Sequence, residues 1–226
     1  MTGTVVFDLD GTLVDTSADL IAAANACFRA RGLDDLLDPV ADALIAFQGG
    51  RAMLSEGFAR VGDTVLIPPG AVDADFPRLL DFYGQDIARH STPYPGVEET
   101  LAALASAGWR LSVCTNKPEG LAEQLLRELN LRDCFGALVG ADTLPVRKPD
   151  PRPYHEAVAR VGGSVANSFL VGDTKTDHAT ARAAGVRVAL VGFGPEGQGV
   201  ARLDPDAILD SFSALPALAR DWLRAA

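Results

Sequence analysis

Two aspartates separated by one residue occur near the start of the chain, in the run Phe7-Asp8-Leu9-Asp10-Gly11. They follow an apolar segment with the character of a β-strand, so both carboxylates face the same side, and the glycine allows a sharp turn after them. Two carboxylates this close repel each other unless a divalent cation lies between them or one of them holds a proton. Both conditions suit phosphoryl transfer, although the same residues also fit an ordinary turn after a strand.

Three further groups of polar residues follow later strand-like segments. They are Thr115-Asn116-Lys117, Lys148, and Gly172-Asp173 with Asp177. Each group alone has a simpler explanation, because the first could cap a helix, a single lysine is usually solvated, and aspartates are common at helix N-termini. Parallel sheets, however, bind ligands at the carboxyl ends of their strands, and these groups follow in order at such ends. We therefore expect one site that combines acids, a hydroxyl and an ammonium group.

Strand-like and helix-like segments alternate over most of the chain, which is the pattern of crossover units on a parallel sheet. The predicted strands cover 4–8, 109–115, 137–139, 168–171 and 186–191, with a sixth around 207–209. A final helix is predicted over 214–225. The pattern indicates an α/β fold with a doubly wound parallel sheet.

The segment after the first strand breaks this alternation and predicts consecutive helices instead. Thr16 and Asp19 have the spacing of a capping box at the start of the first of these helices. A stretch containing proline and glycine then marks the return to the alternating pattern. We therefore predict an inserted helical cap domain over 15–89 and an α/β catalytic core domain formed by 1–14 and 90–226.

The composition disfavours several classes of partner. Thirty acidic and twenty basic residues give a net charge of −10, which repels nucleic acid and anionic lipid. No apolar run reaches the roughly 18 residues of a membrane span, and the N-terminal segment has no basic region of the kind that precedes a signal sequence. The three cysteines lack metal-binding spacing and fit a reducing compartment. We expect a cytoplasmic protein, a monomer or a homodimer, that acts on a small phosphorylated metabolite and binds neither nucleic acid nor membrane.

Five ordered segments together carry a family resemblance. They are Asp8-Leu9-Asp10-Gly11-Thr12-Leu13, Thr115-Asn116-Lys117-Pro118, Lys148-Pro149-Asp150-Pro151, Val171-Gly172-Asp173 with Asp177, and Ala183-Ala184-Gly185. This set resembles the haloacid dehalogenase superfamily, and within it the phosphoglycolate phosphatase-like members that carry a helical cap after the first strand. The resemblance covers nearly the whole chain.

The resemblance implies a mechanism and a cofactor. Asp8 would attack phosphorus and become an aspartyl-phosphate, while Asp10 would act as acid and then as base. Mg²⁺ would be held by Asp8, by the backbone carbonyl of Asp10 and by Asp173. Thr115 and Lys148 would hold the other phosphoryl oxygens.

Four other residues receive less direct assignments. Asp177 would anchor Lys148 or an outer-sphere water. Arg51, which follows a pair of glycines, is assigned to a substrate carboxylate, with an exposed arginine at a helix–helix turn as the alternative. Asn116 is also assigned to substrate binding. Lys117 either assists with phosphate or is a surface lysine at the start of a helix.

The function predicted on this basis is Mg²⁺-dependent hydrolysis of a small phosphomonoester, with phosphoglycolate as the expected substrate. A phosphosugar mutase of the same superfamily would use the same core residues and stays an alternative. A dehalogenase is disfavoured because those relatives normally lack the second aspartate. The non-enzymatic alternative is a signalling module that only accepts a phosphoryl group, but such a module is shorter and has no helical insertion.

Overall fold

Six parallel strands form the main sheet of the computed structural model, which describes residues 3–62 and 66–223. In chain order the strands are β1 (Thr4–Phe7), β2 (Val14–Asp15), β3 (Thr92–Pro93), β4 (Arg110–Cys114), β5 (Ala137–Val139), β6 (Ser168–Gly172), β7 (Arg187–Val191) and β8 (Ala207–Leu209). The main sheet has the order β5-β4-β1-β6-β7-β8, and β2 pairs with β3 separately. The predicted α/β fold is confirmed, and each predicted strand begins and ends within about one residue of its observed limits.

Burial on both faces explains why the central strands are almost continuously apolar. β1 lies between β4 and β6, so that Val5 has Leu111 on one side and Phe169 on the other. Every residue of β1 and of β6 is buried. A parallel sheet covered by helices on both faces selects Val, Leu and Phe at successive positions, because neither face of the strand contacts water.

The crossovers between the strands are helical. In chain order the helices are α1 (Ser17–Ala30), α2 (Ala43–Ala46), α3 (Gly50–Val61), α4 (Ala71–Gln85), α5 (Val97–Ser106), α6 (Glu119–Glu128), α7 (Arg152–Arg160), α8 (Lys175–Ala184) and α9 (Leu215–Leu223). Among the helices of the described ranges, none has the length and apolarity that a membrane span requires. The helix predicted over 214–225 is present as α9, and its last predicted residues, 224 and 225, lie outside the described residues.

The chain forms two compact units. One contains the residues up to Asp15 and those from Pro93 onward, with the parallel sheet at its centre. The other, Thr16–Thr92, contains α1 to α4. Its interior includes an edge-to-face contact between the rings of Phe28 and Phe58, whose centroids are 5.3 Å apart. The assignment of these parts of the chain as a catalytic core domain and a cap domain stays a prediction.

The capping box predicted at the start of α1 is wrong. Thr16 is the N-cap residue but makes no side-chain capping hydrogen bond. The buried carboxylate of Asp19 instead accepts hydrogen bonds from the backbone N–H of His90 (3.0 Å) and from the backbone N–H (2.8 Å) and hydroxyl (2.7 Å) of Ser91. Asp19 therefore ties the first helix of this unit to the last segment of the same unit.

Candidate active site

The carboxyl ends of three adjacent strands carry the predicted acids and hydroxyl. Asp8 follows β1, Thr115 follows β4, and Asp173 follows β6. Because β4, β1 and β6 are neighbours in the sheet, their ends lie at one edge. Lys148 reaches the same edge from the segment between β5 and α7.

An acidic cluster lies at this edge. Asp8, Asp173 and Asp177 each place a carboxylate oxygen so that these atoms lie within 4.8 Å of one another. All three residues are largely buried. The Asp8 carboxylate accepts a hydrogen bond of 2.7 Å from the backbone N–H of Leu9, and Asp173 accepts one of 2.9 Å from the hydroxyl of Thr12. Such concentrated negative charge requires compensation from a nearby cation.

Lys148 supplies part of that compensation. Its side chain is 1% exposed, and its Nζ lies 2.6 Å from Oδ1 of Asp177 and 3.0 Å from Oδ1 of Asp8. Sequence analysis assigned Asp177 to anchor Lys148 or an outer-sphere water, and a contact between Asp177 and Lys148 is present. The place of Lys148 beside a phosphoryl group stays a prediction. The three N–H donors of this buried ammonium group can serve Asp8, Asp177 and one further acceptor.

Asp177 has a second contact that fixes the start of α8. Its Oδ2 accepts hydrogen bonds from the backbone N–H (3.1 Å) and the hydroxyl (2.7 Å) of Thr174, which is the N-cap residue. The Thr174 side chain also accepts from the backbone at Asp177, which completes a capping box. One carboxylate therefore holds both the helix N-terminus and the lysine of the site.

The pKa values of these acids diverge because their surroundings differ. Burial raises the pKa of Asp8 to about 7, and the charge of Asp177 adds to this effect while Lys148 opposes it. Burial, together with the charges of Asp177 and Asp8, raises the pKa of Asp173 well above its ordinary value. Burial also acts on Asp177, but the charge and hydrogen bond of Lys148 and the bonds from Thr174 outweigh it, so the pKa of Asp177 is lowered.

The donor chemistry of the cluster fits a divalent metal ion. Carboxylate oxygens are hard ligands, which Mg²⁺, Ca²⁺ and Mn²⁺ prefer over softer metals. The raised pKa values of Asp8 and Asp173 show that one ammonium group does not balance three buried carboxylates. A cation would favour the ionised form of both groups.

The metal-free protein should lose stability as the pH rises from about 4 to about 7. The folded pKa of Asp8 is raised above 3.8, its unfolded value, so within this window the folded state keeps a proton that the unfolded state releases. Stability from such a group is present at low pH and is lost as the pH approaches the folded pKa, with a limiting slope of about 1.4 kcal/mol per pH unit. Urea unfolding in EDTA at a series of pH values measures this slope.

Added Mg²⁺ should reverse that trend. Protons compete with metal for the same oxygens, so the Mg²⁺-induced rise in melting temperature should be larger near neutral pH than near about pH 5. A rise independent of pH would contradict the assignment of Asp8 and Asp173 to the metal. Na⁺ at matched ionic strength is the control, because screening alone does not require the cluster.

The segment after β4 connects three parts of the site. The Thr115 hydroxyl accepts a hydrogen bond of 3.1 Å from the backbone N–H of Lys117. The Asn116 amide nitrogen donates to the backbone carbonyl of Lys148 at 3.0 Å, and Nζ of Lys117 lies 2.6 Å from Oδ1 of Asp10. Lys117 is buried, so the surface alternative considered for it is wrong. Asn116 supports the Lys148 segment here, and its substrate role stays a prediction.

Arg51 belongs to the unit Thr16–Thr92 and has partners within it. It lies in the first turn of α3, its Nε donates to Asp73 at 2.9 Å, and its guanidinium lies 3.8 Å from the ring centroid of Phe76. The side chain remains 51% exposed. Binding of a substrate carboxylate by Arg51 stays a prediction.

Two contributors to the site received no role from sequence analysis. Thr12 orients Asp173, as its hydrogen bond shows, and the signal was its place directly after the Asp-x-Asp-Gly run. Gly194 lies so close to the site that a Cβ there would be 2.8 Å from the carbonyl oxygen of Gly11 and 3.6 Å from Cβ of Asp173. The segment that follows β7 therefore passes close to the site at Gly194. The signal was its density of glycines, which permit close backbone approach.

Gly172→Ala should destabilise the protein by about 1–3 kcal/mol and also lower activity, because an added Cβ would lie 2.4 Å from Cβ and Cγ of Asp177. Relief of this overlap moves Asp177 away from Lys148. Gly120→Ala is the matched control, because nothing lies within 4 Å of a Cβ at this exposed position of α6. There alanine should leave stability unchanged or raise it by up to about 1 kcal/mol. Equal urea midpoints for the two variants would contradict the prediction.

Comparison with known proteins gives consistent matches. The sequence model described as haloacid dehalogenase-like hydrolase matches residues 5–191. The phosphoglycolate phosphatase of Agrobacterium fabrum (strain C58) is 42% identical over 219 residues, which is 94% of this chain and 91% of that protein. The phosphoglycolate phosphatase of Caulobacter vibrioides is 42% identical over 214 residues, covering 94% and 89% of the two chains.

A solved structure extends this likeness to three dimensions. The crystal structure of a predicted phosphoglycolate phosphatase from Haemophilus somnus 129PT has a TM-score of 0.84 and 26% sequence identity, and the match covers 96% of this chain and 97% of that one. The range 5–191 matched by the family model includes β4, β6 and all of β1 except Thr4, and therefore the strands that lead into the acidic cluster and Thr115.

Proposed function

The chain belongs to the haloacid dehalogenase-like hydrolase family, and on that premise we propose that it hydrolyses small phosphomonoesters through an aspartyl-phosphate on Asp8. The observation that carries the proposal is the buried contact of Lys148 with Asp8, 3.0 Å long, within the cluster that also contains Asp173. The proposed nucleophile, the Asp8 carboxylate, lies beside a fixed positive charge. An incoming phosphate dianion needs that charge, because a carboxylate alone would repel it.

In the first half of the reaction, an oxygen of Asp8 forms a bond to phosphorus and the bond between phosphorus and the substrate alcohol breaks. Asp10 donates a proton to the departing oxygen, so the product leaves as an alcohol. Lys148 and the Thr115 hydroxyl hold two of the remaining phosphoryl oxygens.

In the second half, Asp10 accepts a proton from a water molecule that attacks the aspartyl-phosphate. The acyl-phosphate bond breaks, inorganic phosphate forms and Asp8 is restored as a carboxylate. Asp177 keeps Lys148 in place through both steps, which follows from their 2.6 Å contact. Two easier displacements replace one difficult one.

Mg²⁺ is the cofactor of the proposal. Asp8, Asp173 and the backbone carbonyl of Asp10 would hold it, and when bound it supplies positive charge that stabilises the phosphoryl oxygens. The acidic cluster and its raised pKa values support a divalent cation at this position. Magnesium is favoured among hard cations because phosphoryl-transfer sites commonly combine it with one or two carboxylates.

The substrate proposed is 2-phosphoglycolate, on the strength of the relatives that bear the name phosphoglycolate phosphatase. We place the protein in the cytoplasm, where its three free cysteines, two of them buried, would stay reduced. The expectation of a monomer or homodimer stays a prediction.

A screen of small phosphomonoesters tests the function. Phosphate release should require Mg²⁺, should stop with EDTA, and should give 2-phosphoglycolate the highest kcat/KM of the series. Preference for a hexose phosphate with the phosphoryl group retained on the product would indicate a mutase. Labelling of Asp8 by a small phosphoryl donor without turnover of any ester would indicate a phosphoryl-accepting module.

A further inference from the structure

Lys117 is a buried lysine outside the cluster of three acids. Its side chain is 4% exposed, and its Nζ lies 2.6 Å from Oδ1 of Asp10, whose side chain is 19% exposed. The pair joins the segment after β4 to the segment after β1. A lysine is rarely buried without a charged partner, and this partner is the carboxylate that the proposed function uses as acid and base.

The backbone around Lys117 is fixed on both sides. Its N–H donates to the Thr115 hydroxyl at 3.1 Å, and its carbonyl accepts from the N–H of Ala141 at 2.9 Å. The next residue, Pro118, is the N-cap of α6. A long, flexible side chain that leaves a fixed backbone and ends in an ion pair is suited to hold its partner in one orientation.

The choice of lysine over arginine supports a contact with one oxygen of the carboxylate. The chain contains three lysines, Lys117, Lys148 and Lys175, among its twenty basic residues, so arginine is its usual cation. A guanidinium group commonly engages both oxygens of a carboxylate, whereas an ammonium group acts as a point donor. Nζ of Lys117 donates to Oδ1 of Asp10 at 2.6 Å.

We propose that Lys117 is a positioning residue that orients the Asp10 carboxylate, through its contact with Oδ1, toward the oxygen of the leaving alcohol. This inference rests on the proposed function. In this role Lys117 acts through Asp10 and not on the phosphoryl group. Its removal should therefore slow the step in which the leaving oxygen is protonated and leave substrate binding nearly intact.

The dependence of the reaction rate on the leaving group distinguishes a positioning role from a general structural role. An alkyl phosphate needs a proton on its departing oxygen, whereas p-nitrophenyl phosphate releases a stable phenolate that does not. Single-turnover rates of alcohol or phenolate release, with enzyme in excess and Mg²⁺ present, isolate formation of the aspartyl-phosphate. The alkyl phosphate used is the one with the highest kcat/KM in the screen of phosphomonoesters.

Lys117→Met should slow alcohol release by about 30- to 100-fold, since general acid catalysis contributes about 10² or more. It should slow phenolate release by less than about 3-fold, with KM for both substrates changed by a similarly small factor. Lys117→Arg keeps the positive charge but presents a planar guanidinium group that engages both carboxylate oxygens. It should therefore not restore the rate of alcohol release from the alkyl phosphate. Lys175→Met removes a lysine whose side chain is exposed in the described structure and should match the wild type on both substrates.

The remaining outcomes separate the inference from the function on which it rests. Equal losses on both substrates, or no loss on either, would overturn the positioning role while the wild type remains a phosphatase. Full recovery of the alkyl rate in Lys117→Arg would overturn the one-oxygen orientation, since charge alone would then suffice. A wild type inactive on both substrates would overturn the inference together with the proposed function. Activity of Lys117→Met on p-nitrophenyl phosphate also reports whether this variant folds.

Discussion

Asp8→Asn should lower kcat for phosphoester hydrolysis by at least about 10⁴-fold, because an amide cannot form the acyl-phosphate intermediate. The side chain is almost isosteric, and Asn can still accept the hydrogen bond that the N–H of Leu9 donates to Oδ1. Initial rates of phosphate release, measured with the best substrate of the screen, give the ratio. Mass spectrometry after rapid quenching should show a phosphoryl adduct in the wild type and none in the variant.

Loss of folding should not account for that result. Burial raises the pKa of Asp8 to about 7, so above this pH the ionised side chain opposes folding and a neutral amide relieves the opposition. Without metal at mildly alkaline pH, the melting temperature of Asp8→Asn should equal or exceed that of the wild type. Asp133→Asn is the matched control, because this aspartate is exposed in the same unit. A variant at Asp8 that keeps a tenth of the activity would eliminate Asp8 as the nucleophile.

Lys148→Met should reduce both stability and activity. The ammonium group contacts Asp177 and Asp8 with 1% of its side chain exposed, so its loss leaves two buried carboxylates without their cation. Breaking a buried ion pair from one side typically costs about 3–5 kcal/mol. Loss of one electrostatic contact to the transferring group typically lowers kcat by about 10²–10³-fold. Urea unfolding at neutral pH in EDTA measures the first effect, and steady-state kinetics with saturating Mg²⁺ measure the second.

A double variant tests the reason given for the lost stability. Lys148→Met combined with Asp177→Asn removes one of the two carboxylate charges that the single variant leaves without a cation, and Asn can still accept the hydrogen bonds that Thr174 donates to Oδ2. The double variant should therefore be more stable than Lys148→Met alone. Additive losses from the two substitutions, or a single variant within about 1 kcal/mol of the wild type, would show that the buried pair does not stabilise the fold.

The positions of the strands could be predicted from the sequence because they depend on local composition. Runs such as Val5–Phe7 are apolar on both faces, and this pattern indicates a buried parallel strand. The sheet topology also predicts which edge of the sheet holds the site. It does not predict which side chains pair at that edge, because the strand ends specify neither which lysine contacts Asp8 nor which contacts Asp10. Those contacts depend on side-chain conformations across segments far apart in sequence.

The two Thr-x-x-Asp runs also show that local sequence does not specify tertiary hydrogen bonds. Thr16 with Asp19 and Thr174 with Asp177 have identical spacing, yet only the second forms a capping box. Asp19 is engaged by the backbone N–H groups of His90 and Ser91, more than 70 residues away. Spacing describes what a side chain can reach within its own helix, whereas the competing donors come from tertiary structure.

On the ribosome, β1 emerges long before either of its neighbours in the sheet. Thr4 pairs in register with Arg110 of β4 and with Ser168 of β6, so the central strand has no partner until distant parts of the chain exist. At about 5–20 residues per second, synthesis of the segment up to β6 takes roughly 8–30 s. Until β4 has been synthesised, the apolar strand that leads to Asp8 has two unpaired edges, and until β6 follows it still has one. Unpaired strand edges favour binding of chaperones to the nascent chain.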